Sequence, residues 1–195
     1  MAYDEPNYTV LDSDQYELED SRGKVELRSY DSMMVAAVDV DASEWYSAAR
    51  QAFRPLAGFI FGSNDRNEKI GMTIPVTTHS APSGEWTVSF MMPDRYNVDT
   101  LPNPNTEGIE VTTREPVHMA SIRFSGRISG TAGDRNFRRA EEKLRAALES
   151  ADIIPTGGAV YAVYNGPYTP PFFRRNEVLI PIETAVDPQP AQAIE

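Results

Sequence analysis

One pattern repeats in this chain at about half its length: extended segments, an amphipathic helix, then two further extended segments. In the first half, Val25-Glu26-Leu27-Arg28-Ser29-Tyr30 alternates apolar and polar residues at period two, as a half-buried strand does. A weaker extended run, Tyr8 to Glu19, precedes it, and the turn Gly23-Lys24 separates the two. Met33 to Val40 is more continuously apolar and reads as a strand covered on both sides. A helix follows, with Asp41 and Ser43 as candidate N-caps. Its apolar stripe is Trp45, Ala48, Ala49, Ala52, Phe53, Leu56, Phe59 and Ile60. Pro55 removes a backbone donor inside this stripe and predicts a kink or an early stop; Gly62 ends the element. Gly71 to Ser80 and Glu85 to Met92 read as strands around Pro82-Ser83-Gly84, and Asp94 to Gly108 as a loop.

The second half begins with a strand at Val117 to Phe124. A helix from about Asp134 to Ser150 carries the stripe Phe137, Ala140, Leu144, Ala147, Leu148 and Ala151. Val160 to Tyr164 and Glu177 to Glu183 close the unit, joined by the stiff linker containing Asn165-Gly166-Pro167 and Pro170-Pro171. The expectation is an α+β fold in which the two halves pair their strands into one curved antiparallel sheet, each half carrying one helix packed on it. The domain is expected to span 1–186, with a pseudo-repeat at about 16–93 and 109–185. Met1 to Asn7 reads as a loose leader and 187–195 as a disordered tail.

Composition narrows the chemistry. There is no cysteine, which removes disulfides, thiolate metal sites and cysteine nucleophiles. With 18 basic and 29 acidic residues, the formal charge of −11 repels phosphate backbones, so no nucleic-acid partner is expected. No apolar run reaches the roughly 18 residues of a membrane span. The acidic N-terminus does not resemble a signal peptide, and a cytoplasmic location is expected. Walker-type, dinucleotide-glycine and His-x-x-x-His patterns are absent, and no serine sits in a glycine elbow. No catalytic residues are assigned, and the chain is expected not to be an enzyme.

A set of ordered motifs points to a family. Gly62-Ser63-Asn64, Lys69-Ile70 and Met72-Thr73-x-Pro75-Val76 resemble the signature stretch of the SOUL haem-binding family. Val25 to Tyr30, Phe53-Arg54-x-Leu56, Phe124-Ser125-Gly126, and Arg174-Arg175-Asn176-Glu177-Val178 after Tyr168 and Pro170-Pro171 extend the likeness from about Tyr16 to Ile182. The resemblance implies a distorted antiparallel β-barrel of two pseudo-symmetric halves, each with one α-helix. It also implies that the cofactor is haem or another tetrapyrrole, bound weakly or transiently. A similar fold serves bacterial effector-binding sensor domains. A sensor for another flat, apolar or cationic molecule is therefore the second reading, and an enzyme acting on a bound small molecule or tetrapyrrole the third.

Haem requires an apolar surface for the macrocycle and donors for its propionates; an axial ligand is optional. The candidate cofactor-binding residues edge the first helix stripe: Arg50, Phe53, Arg54, Ala57 and Gly58. Arg50 lies where the resemblance places a propionate partner, and a guanidinium fork suits a carboxylate. Some family members carry a second basic residue at the position of Gly58, so propionate anchoring beside Arg50 is expected to be weaker here or to use Arg54. Other members place a histidine after the early strand, where this chain has Asp31. Of the two histidines, His118 is the candidate axial ligand, because it alternates in phase with Ala120, Ile122 and Phe124; a buried, hydrogen-bonded core histidine is the competing reading. His79, at a strand end, is expected to be exposed. Arg174, Arg175 and Glu177 are expected to form surface or barrel-rim ion pairs.

Overall fold

The computed structural model describes residues 4–12, 25–81 and 83–183. Strands β1 (Tyr8–Asp12), β2 (Val25–Tyr30) and β3 (Met33–Val40) precede helix α1 (Trp45–Ile60). Then come β4 (Val76–Ser80), β5 (Trp86–Met91), β6 (Glu110–Arg114) and β7 (Val117–Phe124). Helix α2 (Gly130–Ser150) leads to β8 (Val160–Val163), a short 3-10 turn at Pro171–Phe173, and β9 (Asn176–Pro181). The strands form one nine-stranded sheet in the order β1-β2-β7-β9-β8-β4-β5-β3-β6, antiparallel at every pairing.

This order is the expected distorted barrel, curled rather than closed, and its internal symmetry is specific. Each half is a β-β-α-β-β unit, β2 to β5 and β6 to β9, and the halves meet where β4 pairs with β8. The first strand of each half crosses to the other: β2 pairs with β7, and β6 pairs with β3. Both helices cover the same face. Under α1, buried Ala48, Ala52, Leu56 and Phe59 meet Ala36, Val88 and Phe90. Under α2, Phe137, Leu144 and Leu148 meet Ala120, Ile122, Val178 and Ile180. Each buried Leu, Ile, Val or Phe among these contributes about 1.5–3 kcal/mol by leaving water, which is why stripe spacing settles where the helices lie. On the opposite face, Tyr30, Val160, Ala162 and Leu179 cluster with Met33 and Val117. Met33 on β3 reaches this cluster because the sheet curls around it; we call this the inner face.

Several boundaries differ from expectation. The N-cap of α1 is Glu44, in extended conformation and without a side-chain cap bond, rather than Asp41 or Ser43. Pro55 neither stops the helix nor divides it, because buried residues on both sides, Ala52 before it and Leu56, Phe59 and Ile60 after it, anchor the segment. Burial outweighs one lost hydrogen bond here. Helix α2 starts four residues early, after Ser129. Gly133 permits this start: a Cβ there would lie 2.3 Å from the Ile128 carbonyl carbon, so only glycine lets the first turn close on that backbone. The strand expected from Gly71 begins only at Val76, since Pro75 cannot donate to a ladder. Strand β6 was not anticipated. Residues 4–7 are held rather than loose: Asp4 bridges Thr73, and Asn7 donates to Asp94 at 3.0 Å. The rest of the expected strand Tyr8 to Glu19, the turn Gly23-Lys24, Pro82 and the tail 187–195 lie outside the described residues.

Candidate functional site

The apolar stripe of α1 faces the sheet, so its complement faces solvent. Arg50, Arg54 and Gly58 follow one another at four-residue spacing, beside a second row of Phe53, Ala57 and Phe61. Phe53 is 47% exposed and Phe61 64%, whereas Ala57 and Gly58 between them are half-buried and present almost no side chain. The two phenylalanines therefore bracket a flat, low stretch about 12 Å long, at 1.5 Å of rise per residue. Phe53 is braced from below by an edge-on contact with Phe90, ring centroids 5.6 Å apart. Arg50 and Arg54 are exposed and form no ion pair among the described residues. The five residues singled out from sequence thus share one surface.

Gly62, at φ +114°, turns the chain out of α1. Asn64, only 1% exposed, then fastens the turn. Its amide donates to the carbonyls of Phe59 (3.0 Å) and Glu68 (2.8 Å), and its Oδ1 accepts from the backbone of Arg66 and Glu68. The signature stretch therefore fixes the end of the helix.

The histidines lie elsewhere. His118 sits on β7 in phase with buried Ala120 and Ile122, on the helix-covered face against which α2 packs. It is half-buried, and its Nδ1 has no hydrogen-bond partner. The structure does not bring it to the α1 surface. His79, on β4, is half-buried rather than exposed, because its position on the strand turns it to the inner face.

The inner face also holds a buried polar network, in which the ion pairing expected at the surface or barrel rim is present between Arg175 and Glu177, with Glu177 buried. Glu177, 0% exposed, accepts from Arg28 (2.7 Å), Tyr164 (2.8 Å) and Arg175 (2.9 Å). Arg28 also binds Glu26 at 2.7 Å, and its guanidinium covers the Tyr8 ring at 4.4 Å. Burial alone would push the Glu177 carboxyl up, but the Arg28 hydrogen bond and charge outweigh it and hold the group below the usual carboxylate range. Burial likewise raises the Tyr30 phenol, to about 12. Glu177 follows two arginines in a strand-like run, which read as a solvated edge; its partner Arg28 lies 149 residues away.

A cleft of about 400 Å³ opens at the β2–β3 turn. Asp4, Glu5, Asp31 and Asp94 line it, with Met33, Met34, Met91 and Met92, and among the described residues no lysine or arginine does. Its volume suits a small molecule, but its charge is opposite to what propionates require. The exposed face of α1 carries the positive charge, on Arg50 and Arg54, that the lining of this cleft lacks among the described residues.

Fold and surface together define a two-helix, curled-sheet α+β protein built from two strand-exchanged halves, with an open, arginine-flanked helix face. The chain belongs to the SOUL haem-binding family: the family model described as SOUL heme-binding protein matches residues 3–181. Heme-binding protein 1 of Bos taurus is 29% identical over 166 residues, covering 81% of this chain and 84% of that protein. Heme-binding protein 2 of Mus musculus is 29% identical over 168 residues, covering 80% and 77%. Among solved structures, the EcmrR C-terminal domain superposes with a TM-score of 0.64 at 12% identity, covering 83% of this chain and 98% of that one. A Listeria innocua hydrolase gives 0.55 at 15% identity, covering 82% and 92%. These two likenesses concern the fold alone. No helix among the described residues is long and apolar enough to cross a membrane.

Proposed function

We propose that this protein binds haem or a related tetrapyrrole on the outer face of α1, as a carrier, buffer or sensor rather than as an enzyme. The observation that carries the reading is the pairing of two exposed phenylalanines around Ala57 and Gly58 with the unpaired Arg50 and Arg54 alongside. The macrocycle would lie on the low apolar stretch, and the guanidinium forks would meet its propionates. The bound group would supply the iron or pigment chemistry; the protein supplies the surface and the charge. An open face of this kind implies weak or transient binding, because much of the ligand stays in water. Family membership and the names of the relatives support the ligand class.

The test is an absorbance titration with ferric haem and with protoporphyrin IX, for the natural protein and Arg50→Ala. A saturable one-to-one Soret shift, weakened about threefold to tenfold in the variant, is expected for a charge-assisted contact worth about 1 kcal/mol at an exposed site. Absence of a saturable shift with either macrocycle at micromolar protein would sink the reading.

The acidic, methionine-lined cleft favours a second reading, a sensor for a flat or apolar cation. Polarizable thioethers pack against varied shapes, and the carboxylates would meet the charge. Saturable binding of a cationic hydrophobic dye without porphyrin binding would support it; failure of Asp31→Asn to weaken that dye would count against it.

A further inference from the structure

The internal repeat sets two arginines in equivalent places with unlike surroundings. Arg28 on β2 stands opposite Met119 of β7, and Arg114 on β6 stands opposite Met33 of β3. Each reaches over that neighbouring strand to the next. Arg28 meets Glu177 on β9, whose register partner Arg123 lies four residues beyond Met119. Arg114 meets Ser89 on β5, whose register partner Ala37 lies four residues beyond Met33. The sequence keeps the same frame: Val25-x-x-Arg28 matches Val111-x-x-Arg114, and Glu177-x-x-x-Pro181 matches Ser89-x-x-x-Pro93. Tyr164, whose backbone bonds Arg175, corresponds to His79, which pairs with Thr87.

The polar partners differ between the halves. Arg28 is neutralised by Glu26 and Glu177, and the corresponding residues around Arg114 are Thr112 and Ser89. Arg114 is half-buried and makes one hydrogen bond among the described residues, to Ser89 Oγ at 2.7 Å, and no ion pair. Burial lowers its affinity for the proton, whereas at Arg28 the Glu177 hydrogen bond and charge override burial and raise it. His79 Nδ1, on the same face, is buried without a hydrogen-bond partner. The carboxylates nearest in register do not close the gap. Asp39 accepts instead from Thr87 at 2.6 Å, and Glu110 points its exposed side chain to water. A cation removed from water without a counter-charge is a costly arrangement, and a bound anion relieves it.

We infer that the inner face at Arg114, Ser89 and His79 is a binding site for a small oxyanion, the carboxylate of a small organic acid, which takes the place that Glu177 fills in the other half. The guanidinium, held in place by the buried Ser89 hydroxyl, supplies charge and paired donors, and His79 a donor when its proton is on Nδ1. Met33 and Val35, on the same face of β3, floor the approach for the acid's apolar body. The site lies on the sheet face opposite α1 and is independent of the tetrapyrrole reading.

The experiment is an NMR titration that follows the Arg114 side-chain Nε–H and the Ser89 and His79 amides. Sodium acetate and sodium phosphate are added separately, with sodium chloride at matched ionic strength as control. Saturable shifts with acetate, absent with chloride and weakened about tenfold or more in Arg114→Gln, are expected. Ser89→Glu should abolish them as well and raise the melting temperature, because it recreates the internal pair. If Ser89→Glu does not fold, Arg114→Gln alone decides. Response to phosphate without acetate overturns the carboxylate assignment. No saturable shift, or shifts unchanged in Arg114→Gln, overturns the site. Haem titration should be unaffected by either variant, so failure here leaves the α1 reading standing, and the reverse.

Discussion

Arg28 and Glu177 form a 2.7 Å ion pair in which the arginine is 3% exposed and the glutamate 0%. They come from the two halves of the chain and join β2 to β9 across β7. Removing one partner takes from the other its buried charge-assisted bonds and leaves it a single, more exposed counter-charge, Glu26 beside Arg28 or Arg175 beside Glu177. Glu177→Ala or Arg28→Ala should therefore cost about 3–5 kcal/mol, whereas Arg28→Met combined with Glu177→Leu should cost much less. Urea unfolding of the three variants checks this; equal losses in the single and double variants would show that packing rather than charge holds the site.

The same pair gives stability a defined pH dependence. Burial pushes the Glu177 carboxyl up, and Arg28 overrides it, so the folded value lies below the unfolded one. The pair's contribution is complete above the ordinary glutamate range, about 4.3, and is lost as pH falls through the depressed folded value. Melting temperature should fall more steeply below about pH 4 in the natural protein than in Glu177→Gln. Parallel curves would mean that other carboxylates control acid unfolding.

Legibility in the sequence followed how each element is stabilised. Both helices were visible because their burial is periodic. Arg50, Arg54, Ala57 and Gly58 were singled out at the edge of the α1 stripe and do lie side by side, whereas Phe53, expected within the stripe, is 47% exposed because it falls at the stripe's margin. Strand β6 was not visible: Glu110-Val-Thr-Thr-Arg114 is mostly exposed and lacks the apolar alternation that marks a half-buried strand. Glu177 was expected in a surface or barrel-rim ion pair; it pairs with Arg175 but is fully buried. Only the exchange of first strands between the halves brings Arg28 to it, and pairing over 149 residues leaves no local trace.

Gly133 carries a steric requirement that sequence reasoning missed when it started α2 at Asp134. A methyl group there would penetrate the Ile128 backbone, 2.3 Å from its carbonyl carbon and 2.6 Å from its oxygen. Gly133→Ala should destabilise the fold by about 1–3 kcal/mol, despite the better helix propensity of alanine. A neutral or stabilising result in thermal unfolding would mean that the first turn of α2 moves freely.

His118 provides a control on where the macrocycle sits. It lies on β7 beneath α2, while the proposed surface is the outer side of α1. His118→Ala should leave both the Soret position and the haem affinity unchanged. A displaced Soret band with weakened binding would assign the histidine as axial ligand and move the site from α1 to the region around β7.

Gly58 offers a gain-of-function test of the α1 surface. It follows Arg50 and Arg54 on the same row, and its missing side chain leaves the end of that row uncharged. A Cβ built there would meet nothing nearer than Ser63 Oγ at 3.6 Å, an ordinary contact, so a longer residue fits without strain. Gly58→Lys should therefore tighten haem binding by about threefold to tenfold through a further propionate contact, and stabilise the helix by up to about 1 kcal/mol. The gain should shrink with added salt, as expected for an exposed charge, and should be smaller for a tetrapyrrole whose propionates are esterified. Equal gains for the acid and its ester would show that the introduced ammonium plays no part and the new side chain acts by packing alone, which would remove propionate recognition from the account of this face.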